Sequence, residues 1–233
     1  MLAWMQGADA IEGDFRMTKD KRIVCMHDGT TGRTTNRNMV VARATYDSLR
    51  QLDAGGWMSP HWRGQTIPLL EDVLSALPEG KQLFLEIKAG VEMLAPLKEV
   101  LDQSPASKKQ VILMAFDTEV LKAARDLFPD FVLLMLLIRK RPARKGSWTP
   151  PAKDLLDEMT ALKLDGLGCC APGLLHDHEF ARQILASGKQ LHTWTVNQPA
   201  NAAKLRALGV ASITTDKPGW IKRGMAERAS MYE

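Results

Sequence analysis

From residue 80 onward, short apolar runs alternate with helical stretches, and this rhythm restricts the chain to a parallel sheet with helical crossovers. FLEIK precedes a helical stretch at about 91–103. VILMAF (111–116) precedes VLKAARDLF, with Asp117 or Thr118 as N-cap. FVLLMLLI (131–138) precedes a basic loop and a helix near 153–163. LDGLGCC (164–170) leads to a helix at about 177–187, ended by Gly188, and LHTWTVN (191–197) to one at about 199–208, ended by Gly209. SITTD (212–216) leads to a last helix after Pro218. Adding IEGDF near the start gives seven parallel strands.

The segment 10–28 departs from the rhythm. IEGDFRMT and RIVCMHD are separated by Lys19, Asp20 and Lys21 alone, too few residues for a crossover helix, so they should form an antiparallel hairpin. Its return strand carries His27 and Asp28 back to the end where Glu12 and Asp14 lie. Residues 29–68 show little regular pattern beyond a short helix near 45–52. A long excursion of this kind is expected to be a substrate-facing insertion. At 233 residues, the length fits one large domain or two small ones, and the expectation is a single α/β domain over 1–233.

Composition excludes several classes. A net charge of +4 is too mild to argue nucleic-acid binding. Three cysteines, Cys25, Cys169 and Cys170, make no disulfide framework and match no zinc spacing, so they read as buried thiols. FVLLMLLI is far short of the ~20 residues that span a bilayer and reads as a buried strand.

The chemistry-bearing residues stand near strand ends. In a strand, residues i and i+2 share a face, so Glu12 projects with Asp14, and Glu86 with Lys88. If the pairs converge, three carboxylates meet one ammonium beside the His27 imidazole. Unrelieved carboxylates would repel one another and take up protons, whereas a hard divalent cation with oxygen ligands removes the conflict. With a histidine to move protons, the set suggests metal-assisted attack on a phosphate ester. Solvated strand ends paired with local Lys or Arg are the bland alternative. Asp28 is placed to orient a neighbour.

The ordered set GADAIEGDFRMTKD, IVCMHD, GRTTN, LRQLDAG, IPLLEDVL, LFLEIK, AFD, HTWTVN and GVASITTDKP resembles the glycerophosphodiester phosphodiesterases over nearly the whole chain. The resemblance implies a TIM (β/α)8 barrel of the phospholipase-C-like phosphodiesterase type, with the hairpin and the 29–68 insertion on its catalytic face. It implies metal-dependent hydrolysis of a small-molecule glycerophosphodiester to an alcohol and sn-glycerol 3-phosphate. Glu12, Asp14 and Glu86 would hold Mg²⁺ or Ca²⁺, and His27 would be one of two acid/base histidines. Lys88 would contact phosphate, and Trp194 would pack on the glycerol or leaving group.

The chain also departs from that pattern. The family's opening His-Arg-Gly and Pro-Glu-Asn-Thr motifs are absent, and MLAWMQ looks like the tail of the first helix. The expectation is a barrel missing its first strand and most of its first helix, with one acid/base histidine, a phosphate-binding arginine and a site glutamate gone with them. If Met1 is the true start, such a chain is expected to turn over very weakly or not at all and to self-associate as a homo-oligomer; a start assigned at an internal Met of a complete phosphodiesterase, or another chain that completes the barrel, is the alternative. A catalytically impaired relative that binds metal or ligand, and a phospholipase-D-type lyase relative, stay open as alternatives. His192 lies two residues before Trp194, about 6.6 Å deeper along the strand, and is not expected to replace the lost histidine. His61, His176 and His178 read as surface or capping residues. The basic stretch 139–148 (Arg139, Lys140, Arg141, Arg144, Lys145, with Trp148) follows a strand and could meet phosphodiesters or a membrane surface peripherally. A cytoplasmic location is expected, with a periplasmic or secreted one left open.

Overall fold

The computed structural model describes residues 2–139 and 149–229. These fall into two compact units, one formed by Ala10–Phe131 and the other by 2–9 with 132–139 and 149–229.

In the first unit, β1 (Ala10–Met17) turns back through residues 18–22 into β2 (Ile23–Cys25), and β3 (Gln82–Ile87) and β4 (Val111–Ala115) come next. The hairpin is antiparallel, as its short connection requires, with Phe15 opposite Cys25 and Met17 opposite Ile23. Thr18 organises the turn: its hydroxyl donates to Asp20 at 2.6 Å and accepts the Arg22 amide at 2.9 Å. Lys21 takes the left-handed conformation needed to close it (φ 59°). On its other edge β1 pairs in parallel with β3, and β3 with β4. Leu83, Phe84, Leu85 and Ile87 are all buried, which is why β3 reads as a continuous apolar run.

The stretch between β2 and β3 is better organised than its sequence suggests. It contains short turns of helix at Val41–Arg43, Tyr46–Leu49 and Pro60–Trp62, and a helix at Leu70–Ser75. Val24 and Met26 of the hairpin pack with Val41, Leu49, Leu52 and Ile67 in a core of their own. The hydrophobic residues that build it have no fixed period, so pattern reading misses it.

The second unit carries β5 (Val132–Leu137), β6 (Gly166–Cys170), β7 (Gln190–Trp194) and β8 (Ser212–Ile213), paired in parallel in that order. Two boundaries differ from those expected of the sequence. The helix expected at 177–187 is preceded by another at Ala171–His176, whose Pro172 and Gly173 resemble breakers but sit in its first turn, where proline is tolerated. Asp177 separates the two and accepts the Phe180 amide at 3.1 Å as N-cap of the second. The last strand is shorter than SITTD, only Ser212–Ile213, and beyond it Thr215 Oγ1 and the Asp216 amide donate to the Asn197 side-chain oxygen at 2.9 and 3.0 Å.

Arg139 corrects the expectation for the basic stretch. It is buried, pairs with Asp177 at 3.0 Å and stacks 3.6 Å from the Phe180 ring centre, so it is not a solvated surface cation. Residues 140–148 lie outside the described residues. Among the described residues no helix is long and apolar enough to cross a membrane.

His192 is buried between β7 and β8, with Nδ1 2.7 Å from Ser212 Oγ and Nε2 3.1 Å from Gln190 Oε1. Burial pushes its pKa down to about 4 from an ordinary 6.5. The folded form therefore resists the proton that the unfolded chain accepts. Stability present above pH 6.5 should fall as pH drops toward 4, by about 3 kcal/mol from this group. Melting curves across that window should show a steeper decline for the wild type than for His192→Gln, and equal slopes would contradict the assignment.

Candidate active site

The parallel register of β1 and β3 builds the site. Asp14 stands directly beside Glu86, and Glu12 beside Phe84. Glu12 and Asp14 share a face of β1, and Glu86 and Lys88 share a face at the end of β3. The two pairs thus converge. Ligand atoms from Glu12, Asp14 and Glu86 all lie within 4.8 Å of one another. Lys88 Nζ reaches Glu86 Oε1 at 2.5 Å and Asp14 Oδ1 at 3.2 Å, and lies 5.7 Å from the centre of the Phe116 ring. The Lys88 amide extends the ladder by donating to Phe15 O at 2.9 Å, which holds this side chain at the strand end.

The crowding sets the electrostatics. Loss of solvation, then the Asp14 and Glu86 carboxylates, push the Glu12 pKa up to about 8 against the pull of Lys88. Water reaches Glu12, so repulsion by its two neighbours is the firmer of these causes. Burial also raises Glu86, although Lys88 opposes it. Burial alone would lower Lys88, but Glu86 and Asp14 outweigh it and hold the ammonium above its ordinary value. Three carboxylates and one ammonium leave two negative charges when all are ionised. One divalent cation would balance them, and an all-oxygen donor set suits a hard ion.

His27 is held from two directions. The Met26 amide donates to Asp14 O at 2.8 Å, which ties the hairpin's return strand to β1 one residue before the histidine. The imidazole Nδ1 lies 2.6 Å from Asp28 Oδ1, and Arg33 Nε donates to the other oxygen of Asp28 at 2.6 Å. Hydrogen bonds from Arg33, then from His27, keep the Asp28 carboxyl well below the usual carboxylate range. An ionised carboxylate can only accept, so Nδ1 carries a proton and Nε2 is left for proton exchange. The His27 side chain is 60% exposed, enough for a substrate to reach it.

The sequence of this site and of the rest of the chain matches the description "Glycerophosphoryl diester phosphodiesterase family" over residues 1–220. The chain belongs to the glycerophosphoryl diester phosphodiesterase family. A glycerophosphodiester phosphodiesterase of Bacillus subtilis (strain 168) is 32% identical over 227 residues, covering 91% of this chain and 74% of the relative. The putative glycerophosphodiester phosphodiesterase YhdW of the same organism is 31% identical over 225 residues, covering 94% and 87%. Among solved structures, an Oleispira antarctica phosphodiesterase in complex with the product sn-glycerol-3-phosphate superposes with a TM-score of 0.86 at 24% identity, covering 97% of this chain and 88% of that one. A glycerophosphodiester phosphodiesterase from Parabacteroides distasonis gives 0.77 at 21% identity, covering 98% and 88%. These likenesses show the fold to be α/β of the TIM-barrel type.

Of the residues singled out in sequence, the structure gathers Glu12 and Asp14 from the middle of β1, rather than its end as expected, with Glu86 and Lys88 at the end of β3 and His27 on the adjoining hairpin. Trp194 ends β7 in the other unit. His61, His176 and His178 are not buried, and the cysteines form no disulfide, with Cys169 buried and Cys25 and Cys170 partly so. Sequence reasoning missed Arg16, whose guanidinium donates to His27 O and Lys88 O, and the partnership of Arg33 with Asp28. Arg16 could have been found by parity, because it continues the face of Glu12 and Asp14. Arg33 had no such signal, since loop geometry alone brings it to Asp28.

The Lys88 ammonium should carry much of the local stability when no cation is supplied. Lys88→Met is expected to destabilise the metal-free protein by about 3 kcal/mol, and millimolar Mg²⁺ or Ca²⁺ should recover part of that loss. Denaturant unfolding with and without the ion checks this, and an unchanged midpoint would contradict it.

Proposed function

We propose that this protein hydrolyses glycerophosphodiesters to an alcohol and sn-glycerol 3-phosphate, using a divalent cation held by Glu12, Asp14 and Glu86. The observation that carries the reading is the convergence of those carboxylates with Lys88 in a member of this family. The structural neighbour from Oleispira antarctica binds sn-glycerol-3-phosphate as its product, which supports the same product here. Mg²⁺ and Ca²⁺ both suit an oxygen donor set of this kind.

When bound, the cation supplies Lewis acidity at the phosphoryl oxygens. The remaining work falls to side chains. Lys88 offers positive charge to the phosphate from a position fixed by the sheet. His27 moves a proton through Nε2, while Asp28, itself held by Arg33, fixes its tautomer and stabilises the imidazolium that forms. Glycerol or the leaving group is assigned to Trp194, on the strength of the W-T-V-N motif in which it stands.

Release of glycerol phosphate from glycerophosphocholine and glycerophosphoethanolamine, with and without divalent cation, tests the proposal. Turnover should require the cation. It should fall roughly 10²–10⁴-fold in His27→Ala and be lost in the Glu12→Ala/Asp14→Ala double variant. A folded, cation-binding protein that hydrolyses neither diester would overturn the reading, as would a double variant with wild-type activity.

A further inference from the structure

Arg16 spends its side chain on two main-chain carbonyls, one from each element that carries the chemistry. Its Nε and one terminal nitrogen donate to His27 O at 3.0 and 2.8 Å, and its other terminal nitrogen donates to Lys88 O at 3.0 Å. We propose that Arg16 is a positioning residue for the phosphodiesterase reaction: its guanidinium locks the backbone of His27 to that of Lys88, and so sets the imidazole against the carboxylate cluster. The proposal rests on the phosphodiesterase function assigned to this site.

The need for such a clamp arises from the sheet. β2 is three residues long and ends at Cys25, and β3 ends at Ile87. The carbonyls of His27 and Lys88 therefore lie beyond the strands, where ladder bonds no longer fix them. A main-chain carbonyl left without a partner would be free to rotate toward water and take its side chain with it. Arg16 is two residues beyond Asp14 on the same strand face, which places it where both carbonyls come within reach.

Only a planar fork can serve this geometry. Guanidinium presents five N–H donors in fixed directions, so two can meet one oxygen while a third meets another. A lysine ammonium is a compact point charge on a flexible stem and cannot hold both oxygens at a set separation. The partners are also uncharged, so the role of Arg16 is geometric. Asp28 and Arg33 orient the imidazole ring, whereas Arg16 fixes the peptide from which that ring hangs.

The test compares the wild type with Arg16→Lys and Arg16→Met in the full chain. Three readouts are taken: steady-state kinetics on glycerophosphocholine at saturating Mg²⁺, Mg²⁺ affinity, and the ¹⁵N resonances of the His27 imidazole. Misplacing a proton-transfer group by about 1 Å can cost roughly 10²-fold, so kcat should fall by that order in Arg16→Met, with little recovery in Arg16→Lys. KM should stay within about threefold, since the clamp is not a substrate contact. Mg²⁺ affinity should be unchanged, and the His27 resonances should move or broaden in both variants. Wild-type kcat in the variants would overturn the proposal, and so would a loss of kcat with the His27 resonances unmoved. If Arg16→Met fails to fold, Arg16→Lys alone decides. If the wild type hydrolyses no diester, the functional reading fails, while the His27 resonances still report whether Arg16 positions the imidazole.

Discussion

Two carboxylates, Asp14 and Glu86, are direct neighbours across a parallel strand pair, and the site is built around that conflict. Like charges side by side on a sheet are unfavourable, and Glu12 adds a third on the same face. Lys88 answers part of the problem with contacts to both neighbours. The remainder shows as raised Glu12 and Glu86 pKa values and as a net charge suited to one divalent ion. The register cannot slip to relieve the strain. A shift of one residue would turn Phe15, which is fully buried, out of the core.

This arrangement also accounts for the hairpin. A crossover helix after β1 would carry the chain away from the cluster. The antiparallel return instead brings His27 back to the end of the strand on which Glu12 and Asp14 stand. The cost of that route is a short second strand. Compensation comes from three sources: the core beneath the 29–68 stretch, the Asp28–Arg33 pair, and the Arg16 clamp.

Strand parity made much of the site legible in the sequence. The spacing of Glu12 with Asp14 and of Glu86 with Lys88 required them to share faces, and the three-residue connection required a hairpin. Strand–helix alternation gave the parallel pairing within each unit for the same reason: both periods are local. Other features depended on tertiary contacts that carry no period. Arg139 read as a surface cation because its partners, Asp177 and Phe180, are about forty residues further on. The contacts of Asn197 with Thr215 and Asp216, beyond the short β8, are likewise something propensity cannot express. Parity places Arg16 on the face of Glu12 and Asp14, but its partners are backbone oxygens, which leave no mark in a sequence.

The carboxylate cluster is proposed as a divalent-cation site, in which the ion would resolve the conflict of charges. Calorimetric titration of the metal-free protein with Mg²⁺ or Ca²⁺ near pH 7, in two buffers of different ionisation enthalpy, tests it most directly. Loss of solvation and repulsion by Asp14 and Glu86 raise the Glu12 pKa, so an arriving ion competes with protons for this carboxyl. The expected result is one ion per chain, proton release on binding, and affinity that rises with pH as Glu12 ionises. Failure to bind either ion, or binding with no proton released at any pH in this range, would contradict it.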